Sequence, residues 1–60
     1  MKRVIWNVRK IRTSYCEISM IQNSASYEVH YYSEEDSYMN VFKNYSDAFK
    51  AMMNLLKELE

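Results

Sequence analysis

Four segments of the chain alternate between apolar and polar side chains with a period of two residues. They span 3–11, 15–22, 27–32 and 38–43, and they are rich in β-branched and aromatic residues. This pattern is typical of strands that bury one face. We therefore predict four β-strands with these boundaries.

Short connections separate the predicted strands, at 12–14, 23–26 and 34–36. Connections of this length favour antiparallel hairpins, so the simplest topology is a four-stranded meander. Directly opposed residues of an antiparallel pair share a face, and the loop lengths therefore predict the register of each hairpin. The predicted pairs are Ile11–Tyr15, Arg9–Glu17, Val8–Ile18, Trp6–Met20 and Ile5–Ile21, then Met20–Val29, Ser19–His30 and Ile18–Tyr31, then Val29–Val41, Tyr31–Met39 and Tyr32–Tyr38.

The segment from residue 46 to residue 59 places its apolar side chains at helical spacing instead. One side of this helix carries apolar residues and the other carries charged and amide residues, as in an amphipathic helix that covers a core. We predict Ser46 as its N-cap, with Asn44 as the alternative, and Asp47 near the positive end of the helix dipole. The chain is thus predicted to be one α+β domain over residues 1–60, with the order ββββα.

A single helix shields one side of a sheet, so the pattern predicts one covered and one open face. The covered face is predicted to hold Val4, Trp6, Val8, Cys16, Ile18, Met20, Tyr27, Val29, Tyr31, Met39 and Val41. The open face is predicted to mix Ile5, Ile11, Tyr15, Ile21, Tyr32, Tyr38 and Phe42 with Arg3, Arg9, Glu17, Glu28 and His30. An apolar surface rimmed by charge is a common sign of a protein contact.

Two groups of residues are the candidates for that contact. From the open face we expect a contribution from Arg9, Tyr15, His30, Tyr32, Tyr38 and Phe42. The second group is the acidic tip between the third and fourth strands, Glu34, Glu35 and Asp36, which would engage a basic pocket on a partner. Its structural alternative is a solvated turn.

Composition excludes several function classes. The chain contains neither glycine nor proline, so it has no phosphate-cradling glycine loop, no dinucleotide fingerprint and no nucleophile elbow. Its formal net charge is zero, which argues against a dedicated polyanion-binding protein. Sixty residues lie near the lower size limit for a domain that folds without disulfides or metals, so self-association would help it.

The reactive side chains do not assemble into a catalytic or metal site. Cys16 and His30 are the only residues of their types, and the predicted registers place them on opposite faces, which excludes a Cys–His dyad. Zinc requires about four nitrogen or sulfur ligands, and the acidic tip lacks the spacing and the glycine of a calcium loop. We expect no enzyme, no cofactor and no metal, with Cys16 packed in the core.

The compartment follows from cysteine usage and from the start of the chain. A single cysteine excludes an internal disulfide and is typical of a reducing compartment. No secretory or membrane-spanning segment follows the opening Met-Lys-Arg. We therefore expect a cytoplasmic protein with no membrane partner.

Two alternatives to protein binding remain open. The open face could stack single-stranded nucleic acid on its aromatic residues, with Arg3, Arg9 and Lys10 near the phosphates. Glu17 and Glu28 on the same face argue against that function. The other alternative is a homo-oligomer that binds a small nucleotide.

The overall make-up of the chain resembles a class of small proteins. It is glycine-free and rich in Tyr, Met, Asn and Ser, and its predicted strands are followed by the segment YSDAFKAMM at 45–53. In these respects it resembles small proteins encoded by phages and mobile elements, including inhibitors of host defences such as anti-CRISPRs. The resemblance implies stoichiometric occupation of a target's surface in the host cytoplasm, without catalysis, and it assigns no individual residue. A homodimer is a further expectation.

Overall fold

The computed structural model describes residues 1–11 and 15–58. Four antiparallel strands form one sheet in the order β1-β2-β3-β4, and a single helix follows. The elements are β1 (Arg3–Ile11), β2 (Tyr15–Gln22), β3 (Tyr27–Ser33), β4 (Ser37–Phe42) and α1 (Tyr45–Glu58). This architecture confirms the predicted α+β fold with the order ββββα. The predicted 12–14 loop and the predicted helix end at 59 lie outside the described residues.

The core lies between the helix and the middle of the sheet. Helix α1 packs on β2, β3 and β4, and the fully buried cluster consists of Ile18, Met20, Val29, Ala48 and Met52. Cys16 is buried as well, as its predicted core position requires. From β1, Trp6 reaches the helix by packing its ring 6.5 Å from that of Phe49, and its indole N–H donates to the Tyr45 hydroxyl at 3.1 Å.

The helix begins at Tyr45, one residue earlier than predicted, because Asn44 and not Ser46 caps it. The Asn44 side-chain oxygen accepts a hydrogen bond from the Asp47 backbone N–H at 2.9 Å, and the Asn44 carbonyl accepts from the Ala48 N–H at 3.3 Å. These two bonds identify Asn44 as the N-cap. The prediction of Ser46 is wrong and its alternative is correct; Ser46 lies within the first turn.

The first two registers agree with prediction except at one end of β1. The pairs from Ile11–Tyr15 to Trp6–Met20 are confirmed, as are the three predicted pairs between β2 and β3. Beyond Trp6 a β-bulge inserts one residue, so that Val4 rather than Ile5 pairs with Ile21. The extra residue reverses the alternation of side chains at this end of β1.

The bulge corrects the predicted faces of three residues. Ile5 packs against the core, whereas it was predicted on the open face. Val4 pairs with the open-face residue Ile21 and is 59% exposed. Arg3 was predicted on the open face, but it pairs with Gln22, which lies on the covered face of β2. Its guanidinium group donates a hydrogen bond to the Gln22 side chain at 3.4 Å.

The third hairpin is one residue tighter than predicted. The Ser33 N–H donates to the Asp36 carbonyl at 2.8 Å, and the Ser33 hydroxyl both donates to that carbonyl at 3.0 Å and accepts from the Asp36 N–H at 3.1 Å. These bonds close the turn around Glu34 and Glu35 alone. No described residue has a positive φ, so this glycine-free turn is satisfied by a serine side chain instead.

The tighter turn shifts β4 against β3 by one residue and exchanges its two faces. Tyr38 pairs with Tyr31, and Phe42 pairs with Tyr27, so both lie on the side of the helix. Met39 pairs with His30 and Val41 with Glu28, so both lie on the open side. The predicted positions of Tyr38, Met39, Val41 and Phe42 are therefore wrong, because a one-residue slip moves every side chain of a strand to the other face.

Candidate protein-contact face

The open face of the sheet consists of three rows of side chains that run across all four strands. The registers define the rows. They are Val4–Ile21–Glu28–Val41, Asn7–Ser19–His30–Met39 and Arg9–Glu17–Tyr32–Ser37. In the first row every residue except Glu28 is apolar, and in the second row Met39 at the β4 end is the apolar residue.

Glu28 is the most buried side chain of this face and organises the first row. The residue is 5% exposed although no helix covers it, with Ile21 and Val41 as its neighbours across the strands. Its carboxylate bonds to His30 Nε2 at 2.9 Å and Asn23 Nδ2 at 3.1 Å. The hydrogen bond from His30 is the main cause that lowers the pKa of Glu28, against the opposing effect of burial.

A lysine completes this cluster from the start of the chain. Lys2 Nζ lies 3.6 Å from the Glu28 carboxylate, while most of the lysine side chain remains exposed. Its positive charge is a further cause that lowers the pKa of Glu28. The carboxylate is thus satisfied within the protein, while the side chains of Lys2 and His30 that contact it are 64% and 38% exposed.

A second polar network fills the β1 end of the other two rows. Glu17 accepts from the Asn7 side chain at 2.7 Å and from Arg9 Nε at 3.2 Å, and the Asn7 side chain also donates to the Ser19 hydroxyl at 2.8 Å. The hydrogen bonds from Asn7 and then Arg9 lower the pKa of Glu17. Desolvation, followed by the adjacent Glu17 carboxylate, raises the pKa of Tyr15.

The two networks shield the acids of this face and leave its bases exposed. The side chains of Lys2 and Arg9 are 64% and 67% exposed, whereas those of Glu17 and Glu28 are 25% and 7% exposed. The two bases and the two acids balance in formal charge, but the part of this face that a partner can contact carries mainly the positive charges. This part of the face offers cationic groups beside apolar ones.

The apolar groups of the face are solvent-exposed. The exposed members are Val4, Tyr32, Met39 and Val41, and Tyr32 packs edge-on against Tyr15 with their ring centroids 6.1 Å apart. Large apolar side chains that share one face differ from scattered surface residues, because they lose water together when a partner covers them. No buried side-chain nitrogen or oxygen among the described residues lacks a hydrogen-bond partner, so the face is suited to desolvation.

The predicted contact residues fall into three places. Arg9, Tyr15, His30 and Tyr32 lie on the open face as predicted. Glu34, Glu35 and Asp36 are exposed in the β3–β4 turn. Tyr38 and Phe42 lie on the helix side, where Phe42 packs against the core and Tyr38 stacks on Tyr31 at 5.0 Å.

Tyr38 and the acidic turn border a common cavity at the end of the helix. The cavity has a volume of about 280 Å³ and is lined by Tyr31, Ser33, Glu35, Asp36, Tyr38, Leu55 and Glu58. Desolvation, and then the Glu58 carboxylate, raise the pKa of Tyr38. Glu35 and Asp36 of the acidic turn thus lie close to the end of the helix.

Sequence reasoning missed the residues that the two register changes bring to the open face. Val4, Met39 and Val41 were assigned to the core, and Lys2 and Asn23 were not considered. One signal was readable in the third hairpin: serine is favoured at the first position of a four-residue turn, which here starts at Ser33. The bulge in β1 has no comparable signal in the sequence.

The single cysteine and the single histidine lie on different sides of the sheet. Cys16 is buried on the helix side while His30 lies on the open face, as predicted. Among residues 1–11 and 15–58 there is no group of three or more His, Cys, Asp and Glu side chains placed to hold a metal ion.

Comparison with family models, with curated proteins and with solved structures finds no match to this chain. The described part of the chain contains no helix that is both long and apolar enough to cross a membrane.

Proposed function

We propose that this protein acts without catalysis, by binding a protein partner through the open face of its sheet. The observation that carries the proposal is the set of exposed apolar side chains, Val4, Tyr32, Met39 and Val41, around polar groups that are already satisfied. Covering such a face releases water from apolar surface and leaves few polar groups unpaired. Tyrosine and arginine, both present here, are also enriched among residues that dominate binding energy.

The exposed charges indicate the kind of partner. Lys2, Arg9 and His30 are the accessible charged or ionisable groups, whereas the acids behind them are shielded. The complementary surface carries carboxylates opposite these groups and apolar side chains opposite Val4, Met39 and Val41. The mode of action that we propose is occupancy of that surface, as in the phage-encoded inhibitors of host defences that the chain resembles.

The open face carries fewer aromatic residues for binding single-stranded nucleic acid than the sequence predicted. Of the four aromatic residues expected to stack bases, Tyr38 and Phe42 lie on the helix side, which leaves Tyr15 and Tyr32. Stacking platforms gain their affinity from several bases in succession. Two adjacent tyrosines packed edge-to-face offer one such position.

Two matched methionine variants and one tyrosine variant test the proposal. Immobilised protein is used to capture partners from a host lysate, and a captured protein is then purified and titrated for saturable 1:1 binding. We expect Tyr32→Ala and Met39→Ala to weaken binding, with about a tenfold or larger loss for Tyr32→Ala if it is a dominant contact. Met53→Ala, which removes a similarly exposed methionine from the helix, serves as the control.

Two results would contradict the proposal. The first is equal binding by Tyr32→Ala, Met39→Ala and the wild-type protein, with circular dichroism showing that all three are folded. The second is binding of a single-stranded oligonucleotide that falls steeply with salt and depends on Arg9, which would favour the nucleic-acid alternative.

A further inference from the structure

The two edges of the sheet differ in how well they are protected. Edge strands expose unpaired N–H and C=O groups, and proteins usually guard them with charges, proline or bulges. Strand β1 carries Arg3, Arg9 and Lys10 and contains a bulge. Strand β4 reads SYMNVF from Ser37 to Phe42, with no charge and no proline. Within the described residues, β4 is therefore an unguarded edge.

The hydrogen-bonding groups that β4 leaves open can be identified. Ser33 and Asp36 form a hydrogen-bonded pair at the turn, and such pairs alternate along an antiparallel ladder. Continuing from that pair along the observed register, the even-numbered residues of β4 bond to β3. The backbone groups of Ser37, Met39 and Val41 therefore point away from the sheet.

A second copy of β4 matches this edge when it runs antiparallel with Asn40 opposite its own counterpart. In that register Met39 faces Val41 of the second copy on the open face, and Tyr38 faces Phe42 of the second copy on the helix side. Both opposed pairs are apolar, and the outward backbone groups of Met39 and Val41 meet as hydrogen-bonded pairs. Centring on Met39 instead would place Tyr38 opposite an asparagine.

The charges that flank β4 also select an antiparallel second copy. The acidic turn with Glu34, Glu35 and Asp36 precedes the strand, and Lys43 follows it. Antiparallel pairing brings the lysine of each copy beside the acidic turn of the other, whereas parallel pairing would place like charges together. We propose that two copies of this chain associate through β4 to form an eight-stranded sheet whose two open faces are continuous.

This inference concerns the β4 edge, and the proposed function concerns the open face. Met39 and Val41 contribute to both surfaces, whereas Tyr32 on β3 contributes to the open face alone. The inference predicts a concentration-dependent mass that approaches twice the 7.3 kDa of one chain, measured by light scattering or sedimentation. Asn40→Lys puts two like charges opposite each other at the symmetry axis, and we expect this repulsion to weaken association at least about tenfold. Asn54→Lys, the same substitution at an exposed position of the helix, should associate like the wild-type protein.

A cysteine variant tests the register itself. Asn40 faces its own counterpart at a non-hydrogen-bonded position, where Cβ atoms lie about 4.5–5.5 Å apart, close to the separation that a disulfide needs. We expect Asn40→Cys to form a covalent dimer under mild oxidation. Ser37→Cys, exposed on the same strand but opposite Lys43 of the second copy, should not. The native Cys16 is buried, so the wild-type protein is the background control.

Charge exchange supplies an independent readout. Lys43→Glu removes two symmetry-related exposed ion pairs, each worth up to about fivefold, and should weaken association by about two- to thirtyfold. Adding Asp36→Lys should restore part of the loss. A monomer at every concentration, or equal cross-linking of Asn40→Cys and Ser37→Cys, would overturn the inference. Neither result would affect the open-face proposal, which is measured by capture of a different protein through Tyr32.

Discussion

The register of β4 can be tested with two neighbouring residues that differ in which face they occupy. Phe42 is half-buried against the core on the helix side, whereas Val41 is 58% exposed on the open face. Threonine, like the valine and the phenylalanine that it replaces, is favoured in strands, so strand propensity changes little in either variant. The two variants then differ mainly in the apolar contacts that they remove. A register shifted by one residue would reverse their order.

The structure determines the expected sizes. Truncation of a fully buried phenylalanine costs about 3–5 kcal/mol, and Phe42 is partly buried, so Phe42→Thr should cost about 2 kcal/mol. Val41→Thr is a surface substitution and should change stability by less than about 0.5 kcal/mol. A sixty-residue domain has on the order of 3–9 kcal/mol of stability, so both variants remain folded. In a domain of this size the Phe42→Thr cost corresponds to a fall in Tm of roughly 8–16 °C.

Thermal unfolding followed by far-ultraviolet circular dichroism measures both variants. The samples should be dilute, so that any association through β4 does not contribute to the measured stability. A larger fall in Tm for Val41→Thr than for Phe42→Thr would refute the register. That result would also place Tyr38 and Phe42 on the open face, as the sequence predicted, and would support the binding of single-stranded nucleic acid by stacking of its bases there.

Two further predictions concern the helix cap and the buried carboxylate. Asn44→Ala should destabilise the protein by about 0.5–2 kcal/mol because the Asp47 N–H loses its acceptor. Ser46→Ala should change the midpoint of chemical denaturation little. Equal losses of stability in the two variants would mean that Asn44 is not the cap. Glu28 has a lowered pKa in the folded protein, so its contribution to stability is present above its ordinary value of 4.5 and is lost as the pH falls through the lower folded value. Glu28→Gln should therefore flatten the pH dependence of unfolding below that value, and an unchanged profile would show that the bonds from His30 and its neighbours do not favour the ionised form.

The residues that the sequence predicted correctly are those whose pattern allows one arrangement only. In β2, even-numbered Cys16, Ile18 and Met20 alternate with more polar residues, so a single face can enter the core. A four-residue connection with Gln22 and Tyr27 at its ends then specifies the pairing to β3. The helix is equally unambiguous because its apolar side chains recur at helical spacing. These features depend on local periodicity, which is present in the sequence itself.

Strand β4 is different because apolar residues occupy both of its faces. Tyr38 and Phe42 compete with Met39 and Val41 for the core, and alternation cannot choose between the two pairs. The choice is made by the Ser33 hydroxyl, which closes a two-residue turn, and by the aromatic rings of β3 that Tyr38 and Phe42 join under the helix. Both sets of contacts form only when the chain folds, so the pattern of side chains along the sequence does not reveal them.

The start of β1 is ambiguous for the same reason. Val4, Ile5 and Trp6 are consecutive apolar residues, so either parity satisfies the pattern, and the bulge lets Ile5 and Trp6 both turn toward the helix side. By itself, the amino-acid sequence determined the number, type and order of the elements and the existence of an open face. Tertiary packing decided which side chains that face displays, because a shift of one residue costs no strand structure but exchanges everything the strand presents.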